Sequence, residues 1–282
     1  MTDLSLQPIL ALLGHPVAGN PAQYMIEKAL AHHGLDWRYL SLDVAPEDLG
    51  DAVRGMRAMG FRGGNCADPH KRAVLPLLDR AGPVAEMAGV VNCLVRDQSE
   101  LVGENTEGKA LLEALRQRVD PAGKRFVLLG AGQIARAVGI ELALAGAEQI
   151  TVLSRNEPAG RELAELLCDN LEVGASLVAW QGQYELPPET EVLVHATSIG
   201  RGDPEARVPI LPESLASQMI VADVTLDPPH TWLVQEALQR GCKALDGLEV
   251  FLTQAAINFK LWTDVEPNPT VLREAVEEFL EL

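Results

Sequence analysis

Residues 65–71 read NCADPHK, so a lysine closes a short stretch that holds an asparagine and a proline. Most lysines lie in solvent. A lysine held partly away from water has its pKa lowered by desolvation, and it can then exchange protons near neutral pH. Lys71 is therefore a candidate general acid/base, and the alternative is an ordinary surface lysine.

A glycine turn in VLLGAGQIARA, residues 127–137, is the second candidate group. Gly130, Gly132 and Ala135 match the pattern G-x-G-x-x-A. The turn follows an apolar run, opens a helical pattern, and is followed by a second apolar run, QITVL. This order predicts a turn that approaches the pyrophosphate of a dinucleotide at a helix N-terminus, against the alternative of an ordinary glycine turn.

The residues after QITVL favour one cofactor over another. A site for NAD is typified by an acidic residue here, which binds the ribose 2′-hydroxyl. This chain instead has Ser154, Arg155 and Asn156, and Arg155 can stack on adenine and pair with a 2′-phosphate. We therefore expect NADP, although Glu157 opposes this choice. Arg161 either reaches the phosphate or is a surface charge.

Composition narrows the function classes. The chain has 282 residues, of which 47% are hydrophobic, and a formal net charge of −17. Such an acidic surface repels phosphate backbones and anionic lipids, so nucleic acid and membranes are not expected partners. The four cysteines form no C-x-x-C pair, and no His/Cys/Asp cluster predicts a metal site. Without a signal-like segment at residues 1–14, we expect a cytoplasmic protein with reduced thiols.

Alternating strand and helix patterns must position these groups. In the first third we expect strands at ILALLG, WRYLSLDV and FRGG, helices at residues 21–34, 46–60 and 71–82, and a hairpin at VVNCLVRD and ELVGENTEG. From Lys124 a second series predicts strands at RFVLL, QITVL, VLVHATS and MIVADVTL, with helices between them. The tail is predicted to be helical. This alternation is typical of α/β sheets covered by helices.

Eight stretches in order resemble the shikimate dehydrogenases. They are GHPVAGNPA, NCADPHK, GVVNCLV, GENTEGKAL, GAGQIARA, HATSIG, DVTLDPPHT and DGLEVFLTQAAINFKLWT. The resemblance implies an α/β fold with an N-terminal substrate-binding domain, residues 1–105, joined by C-terminal helices at 247–282. It also implies a Rossmann NADP-binding domain at 106–246, with the site in the cleft between the domains.

The resemblance also implies an activity. It is reversible hydride transfer between NADP(H) and a secondary alcohol or ketone of a small cyclic acid, such as shikimate and 3-dehydroshikimate, in aromatic amino acid biosynthesis. Lys71 matches the family's catalytic lysine. The family's catalytic aspartate is Glu107 here, one methylene longer, and we expect it to pair with Lys71.

The family's binding residues can be transferred to this sequence by position. The substrate-binding set is Asn20, Ala22, Ala67, Asn92, Asn105 and Gln254. The cofactor-binding set is Gly130, Ala131, Gly132, Gln133, Ile134, Ala135, Ser154, Arg155, Asn156, Thr197, Ser198, Val224 and Gly247.

Several family hydroxyl groups are missing. The two serines that hold the substrate carboxylate fall on Asn20 and Ala22, a threonine is Ala67, and a tyrosine is Leu226. Losing two charged hydrogen bonds weakens carboxylate binding roughly 10²- to 10⁴-fold. A changed substrate, such as quinate or another cyclic polyol, therefore stays open, as does a non-catalytic NADP-binding regulator. A homodimer also stays open.

Three polar residues have two interpretations each. His195 stands where the family has asparagine, and it either lines the nicotinamide side or fills the cleft wall. Asp223 is more typical of a turn than of a ligand. His70 beside Lys71 is expected to be a surface or packing residue rather than a proton relay.

Overall fold

A computed structural model describes residues 6–282, so the first five of the fourteen residues behind the targeting expectation lie outside the described part. The chain forms two compact units. The first unit contains the residues up to Thr106 together with Gln254–Leu282, and the second unit is Glu107–Thr253.

Among residues 6–282, the first unit holds six strands and five complete helices. Its strands are β1 Ile9–Gly14, β2 Arg38–Asp43, β3 Gly63–Cys66, β4 Arg80–Ala81, β5 Cys93–Asp97 and β6 Glu100–Glu104. Its helices are α1 Ala22–His32, α2 Leu49–Ala58, α3 His70–Ala73, α4 Pro83–Ala88 and, from the C-terminal segment, α10 Pro269–Leu280. Short 3-10 helices lie at Pro46–Asp48 and Leu75–Leu77.

The strands of the first unit form one mixed sheet in the order β2-β1-β3-β5-β6-β4. β1 pairs in parallel with β2 and β3, whereas β5 pairs antiparallel with β3 and β6. β1 is nearly continuously apolar because both of its faces are covered. Gly64 allows β3 to approach β1 closely: its φ is +153°, and a Cβ there would lie 1.8 Å from the Ala11 carbonyl oxygen.

The second unit holds six strands and four complete helices. Its strands are β7 Arg125–Leu129, β8 Gln149–Ser154, β9 Gly174–Ala179, β10 Val192–His195, β11 Ile220–Asp223 and β12 Lys243–Leu245. Its helices are α5 Glu107–Arg116, α6 Gln133–Leu144, α7 Glu157–Leu171 and α8 Trp232–Gln239, with a 3-10 helix at Pro212–Ser214. The helix α9, Gly247–Thr263, begins in this unit and ends in the first.

All strands of the second unit are parallel, in the order β12-β11-β10-β7-β8-β9. This is the doubly wound order, in which a ligand binds at the carboxyl ends of the strands where the strand order reverses. Here that point lies at the ends of β7 and β10. The close contact of α5 with α6 requires Gly108, since a Cβ there would lie 2.5 Å from the Ala137 carbonyl oxygen.

The C-terminal helices return to the first unit, as expected. Trp262 of α9 donates its indole N–H to the Leu94 carbonyl oxygen, 2.9 Å away. The rings of Tyr24 on α1 and Phe279 on α10 lie 6.1 Å apart. The predicted fold class, an α/β substrate-type domain with a Rossmann domain and returning helices, is confirmed.

One predicted helix is wrong. Residues 71–82 form only the end of α3, a 3-10 helix and β4. Pro76 lacks the N–H that a continuing α-helix needs, and its ring disfavours the helical conformation before it. The strands β9 and β12 and the helix α4 were not predicted.

Within residues 6–282, no helix is long and apolar enough to cross a membrane. The same part of the chain contains no group of three or more His, Cys, Asp or Glu side chains placed to hold a metal ion.

Candidate functional site

Lys71 is the second residue of α3 and follows the loop after β3. It is half-buried, and its carbonyl oxygen accepts a 2.8 Å hydrogen bond from the Val91 amide, which fixes its backbone beside the start of β5. Cys66 ends β3 nearby. Burial raises the pKa of the Cys66 thiol to about 12, and the charge of Lys71 acts against this rise.

Side-chain amides form a hydrogen-bonded chain in the first unit. Tyr39 Oη donates to Asn65 Oδ1 over 2.8 Å, and Asn65 Nδ2 donates to the Asn92 carbonyl oxygen over 3.0 Å. Asn92 Nδ2 donates to Thr106 Oγ1 over 2.8 Å, and Thr106 Oγ1 donates to Asn258 Oδ1 over 2.7 Å. These bonds hold several amides in fixed orientations beside the loop of Lys71.

The predicted substrate-binding residues contribute to this arrangement in different ways. Asn92 is a member of the chain, and Asn105 donates to the Val90 carbonyl oxygen over 3.2 Å. Gln254 lies one turn before Asn258 on α9, so the two share a helix face. Sequence reasoning missed Asn65, Thr106 and Asn258 in this role, although NCADPHK and GENTEGKAL already contained two of them.

Asn20 lies in the loop between β1 and α1, Ala22 is the first residue of α1, and Ala67 directly follows β3. The Asn20 Oδ1 atom accepts a 2.9 Å hydrogen bond from the Ala22 amide at the start of α1, which leaves only its Nδ2 group as a donor for other partners. The Ala67 amide donates to the Leu13 carbonyl oxygen over 2.8 Å. The side chains at positions 22 and 67 supply no hydrogen-bond donor.

His70 is buried, and its Nε2 lies 2.8 Å from the Val44 carbonyl oxygen. Since a carbonyl oxygen only accepts, Nε2 carries a proton in this contact. His70 is thus a packing residue.

The glycine turn of the second unit has the geometry that a dinucleotide requires. Gly130 has a φ of +111°, and a Cβ there would lie 2.7 Å from the Ala196 carbonyl oxygen. No heavy atom lies within 4 Å of the position that a Cβ would take at Gly132. Gly132 provides no side-chain cap to α6, so the first amides of this helix remain available for an anion.

Gln133 is the first residue of α6. Within residues 6–282, its Oε1 atom is buried without a hydrogen-bond partner. A buried acceptor of this kind requires a donor, such as a ribose hydroxyl or a water molecule. The turn and Gln133 together fit the phosphates and sugar of a dinucleotide.

The end of β8 carries the residues that face an adenosine moiety in such a fold. The guanidinium carbon of Arg155 lies 5.5 Å from the ring centre of Trp180, which restrains this exposed arginine. Asn156 caps α7 by accepting from the Ala159 amide over 3.1 Å. The Ser154 hydroxyl bonds to the backbone of Asn156, so Arg155 is the side chain of this loop that remains available for a phosphate.

Two other predicted cofactor residues lie at the ends of β11 and β12. Val224 donates its amide to the His195 carbonyl oxygen over 3.1 Å. Position 247 requires glycine for a steric reason that is independent of any cofactor, because a Cβ there would lie 1.9 Å from the Thr225 carbonyl oxygen.

His195 and Asp223 form a buried pair at neighbouring strand ends. The His195 Nδ1 atom lies 2.9 Å from Asp223 Oδ2, and His195 Nε2 lies 2.6 Å from Thr197 Oγ1. Asp223 accepts the Thr225 amide, as a turn residue does, but it also accepts the Thr231 hydroxyl. The sequence signal for this pair was two polar residues that each end an apolar strand.

Glu107 is the first residue of α5 and is half-buried in the second unit. Its pairing with Lys71 stays a prediction.

The fold and these residues define a Rossmann-type dinucleotide-binding protein with an added α/β domain. Residues 12–94 match the family model described as "Shikimate dehydrogenase substrate binding domain", and residues 247–277 match "Shikimate 5'-dehydrogenase C-terminal domain". A relative in Methanopyrus kandleri, "Shikimate dehydrogenase (NADP(+))", is 37% identical over 96% of each chain. The chain therefore belongs to the shikimate dehydrogenase family.

Solved structures share this fold. Ligand-free 5-ketofructose reductase of Gluconobacter sp. strain CHM43 is 40% identical, with a TM-score of 0.94 over 97% of this chain and 99% of the other. Shikimate 5-dehydrogenase of Thermus thermophilus, in complex with NADP(H) and shikimate, is 33% identical, with a TM-score of 0.84 over 97% and 100%.

Proposed function

We propose that the chain is an NADP-dependent oxidoreductase that transfers hydride reversibly between NADP(H) and a secondary alcohol or ketone of a small cyclic acid, shikimate and 3-dehydroshikimate or a related compound. The observation that carries this proposal is the 37% identity, over nearly the full chain, to relatives named as NADP-dependent shikimate dehydrogenases. The glycine turn in the second unit offers a site for the cofactor, and Lys71 in the first unit offers a group for proton transfer.

When bound, NADPH would donate the hydride on reduction and NADP⁺ would accept it on oxidation, and the protein manages one proton. Lys71 is the proposed general acid/base, which takes the proton of the substrate hydroxyl on oxidation and returns it on reduction. Asn92, Asn105 and Gln254 are the proposed hydrogen-bonding groups for substrate hydroxyls. Glu107 is the second proposed catalytic residue.

NADP is favoured over NAD by the end of β8. The helix α7 starts with Glu157, but the position that would bind the ribose 2′-hydroxyl holds no carboxylate. Arg155, restrained over Trp180, offers a planar cation to adenine and to the 2′-phosphate. Arg161 is exposed on α7 and has a smaller proposed role.

A second candidate substrate class is a neutral sugar ketone. The 40% identity to a 5-ketofructose reductase favours it. So does the substrate-binding set, in which Ala22 and Ala67 provide no hydroxyl for a carboxylate while the amide chain through Asn65 and Asn92 remains suited to hydroxyl groups. The two candidates thus differ in whether the substrate carries a carboxylate.

A substrate panel separates the candidates. The purified protein is assayed with NADP⁺ and shikimate or quinate, and with NADPH and 3-dehydroshikimate or 5-ketofructose, in each case by absorbance at the NADPH wavelength. The proposal predicts a higher kcat/KM for shikimate or 3-dehydroshikimate than for 5-ketofructose. Turnover of 5-ketofructose alone would establish the neutral candidate, and NADPH binding without any turnover would favour the non-catalytic regulator.

A cytoplasmic location is part of the proposal. All four cysteines are free, and three of them, Cys66, Cys93 and Cys242, are buried. Reduced thiols are typical of proteins in a reducing compartment. The predicted homodimer stays a prediction, which the molar mass in solution will test.

A further inference from the structure

His195 and Asp223 end two neighbouring parallel strands and lie opposite each other in register. Their side chains are 1% and 0% exposed. Polar groups that are removed from water in this way must be compensated by hydrogen bonds, and a carboxylate requires donors on every side. The role of the pair can therefore be inferred from the partners of the two Asp223 carboxylate oxygens and the two His195 ring nitrogens.

Two hydrogen-bond donors hold Asp223, and the His195 ring faces it at contact distance, although Nδ1 makes no hydrogen bond of good geometry. Its Oδ1 accepts the Thr225 amide over 2.9 Å, and its Oδ2 accepts the Thr231 hydroxyl over 2.7 Å and faces His195 Nδ1. Burial acts to raise the pKa of Asp223, but these contacts, led by His195, outweigh it and lower the pKa. An ionised carboxylate only accepts, so this 2.9 Å contact favours the tautomer of His195 that has its proton on Nδ1.

This proton fixes the other side of the ring. In the neutral imidazole, Nε2 is then the acceptor, and it lies 2.6 Å from Thr197 Oγ1. For this neutral tautomer the Thr197 hydroxyl donates to Nε2, while its oxygen accepts the Ile199 amide over 3.1 Å. Thr197 is thus fixed both in rotamer and in the direction of its hydrogen.

The loop that follows β10 borders the dinucleotide turn. Ala196 donates its amide to the Leu129 carbonyl oxygen over 2.9 Å. A Cβ on Gly130 would lie 2.7 Å from the Ala196 carbonyl oxygen and 3.1 Å from Thr197 Cγ2. β10 and β8 flank β7 on opposite sides, so this loop lies away from Arg155 and the proposed adenosine site.

We propose that His195 and Asp223 are a positioning pair, which aligns the Thr197 hydroxyl and so sets the loop of residues 196–199 for the non-adenosine half of the cofactor. The inference rests on the proposed function, since Thr197 and Ser198 are proposed cofactor contacts. The family resemblance places an asparagine at position 195, and its side chain is shorter than the imidazole of His195.

The first test is the tautomer of His195. Two-dimensional ¹H–¹⁵N spectra of ¹⁵N-labelled protein at pH 8, assigned with His195→Asn, should show a protonated Nδ1 and an unprotonated Nε2. A proton on Nε2, alone or with one on Nδ1, would overturn the proposal. This measurement requires neither cofactor nor turnover.

The second test compares two ligands by titration. NADPH binding, followed by its fluorescence, should weaken about 3- to 30-fold in Asp223→Asn, because the side-chain amide reverses the hydrogen bonds of His195 and Thr197. Binding of 2′,5′-ADP, which has only the adenosine half, should stay within twofold. His195→Gln should behave similarly and serves if Asp223→Asn does not fold. Both variants should show the wild-type circular dichroism.

Glu191→Gln is the matched control. Glu191 precedes the opposite end of β10 and bonds Lys124 and the Arg125 amide, so its loss affects the same strand but neither ligand. Equal weakening of NADPH and 2′,5′-ADP by Asp223→Asn, or no weakening of either, would overturn the positioning role while wild-type binding leaves the proposed function intact. Failure of the wild-type protein to bind both ligands would overturn the proposed function and this inference with it.

Discussion

Lys71 combines two properties that a proton-transfer residue needs. It is half-buried, and its carbonyl oxygen accepts a hydrogen bond from the amide of Val91, two residues before β5. The neighbouring α3 cation, Arg72, is exposed instead. Lys71 and Arg72 both carry a positive charge, but only Lys71 is partly buried. Substituting each residue in turn therefore tests whether position or charge matters for activity.

We expect Lys71→Met to lower kcat about 10²- to 10⁴-fold on the substrate that the panel identifies, because the hydroxyl proton then has no acceptor. The Kd for NADPH should stay within about twofold, since the proposed cofactor contacts lie in the second unit. Arg72→Met is the control and should keep wild-type kcat. If kcat fell by less than tenfold in Lys71→Met, this result would contradict the catalytic assignment.

Residue types and the elements around them located the glycine turn, whereas the role of Lys71 was taken from the family resemblance and stays a prediction. They did not give the His195–Asp223 pair. That pair depends on the parallel register of β10 with β11, and no local pattern specifies which strands will be neighbours. The amide chain was missed for a related reason, since Thr106 and Asn258 are 152 positions apart in the sequence.

At the scale of elements, apolar periodicity identified the strands that are buried on both faces. β7 was predicted because four of its five residues are apolar, and β8 because its β-branched and aliphatic residues Ile150, Thr151, Val152 and Leu153 form a continuous run. β9 and β12 lie at the two edges of their sheet and have mixed, partly exposed sequences, so the periodicity is weak. The helix predicted over residues 71–82 failed because Pro76 interrupts an otherwise apolar pattern.

The contact between α5 and α6 contains an acidic residue whose ionisation opposes folding. Burial raises the pKa of Glu141 above its ordinary value, although the charges of Lys109 and Arg116 act in the opposite direction. The folded protein thus binds a proton at Glu141 more readily than the unfolded chain does. Stability is lost as the pH rises from the pKa of Glu141 in the unfolded chain to its raised pKa in the folded protein. The whole of this destabilisation remains at neutral pH.

Glu141→Gln should therefore raise the Tm at pH 7.5 by roughly 1–3 °C, and the gain should vanish below about pH 4, where the side chain is protonated in both states. Differential scanning calorimetry at several pH values measures this. Glu148→Gln is the control: the hydrogen bond from Arg125 lowers the pKa of Glu148, so this variant should gain nothing at pH 7.5. A lower Tm for Glu141→Gln at neutral pH would show that its cationic neighbours outweigh burial.

At the scale of the whole molecule, the excess of acidic residues is the dominant electrostatic feature. Forty acidic side chains face 23 basic ones, so the net charge is −17 even if every lysine and arginine is paired. Surface ion pairs contribute little individually, whereas unpaired charges of one sign repel over the Debye length. Repulsion should therefore exceed attraction at neutral pH.

We expect the Tm at pH 7.5 to rise by a few degrees between 10 mM and 200 mM NaCl, because the Debye length falls from about 30 Å to about 7 Å. The same titration near the isoelectric point, about pH 4.7, is the internal control. There the net repulsion is absent, only attractive pairs remain to be screened, and the Tm should stay constant or fall. A Tm that falls with salt at pH 7.5 would mean that the ion pairs, rather than the excess of carboxylates, govern the stability of this protein.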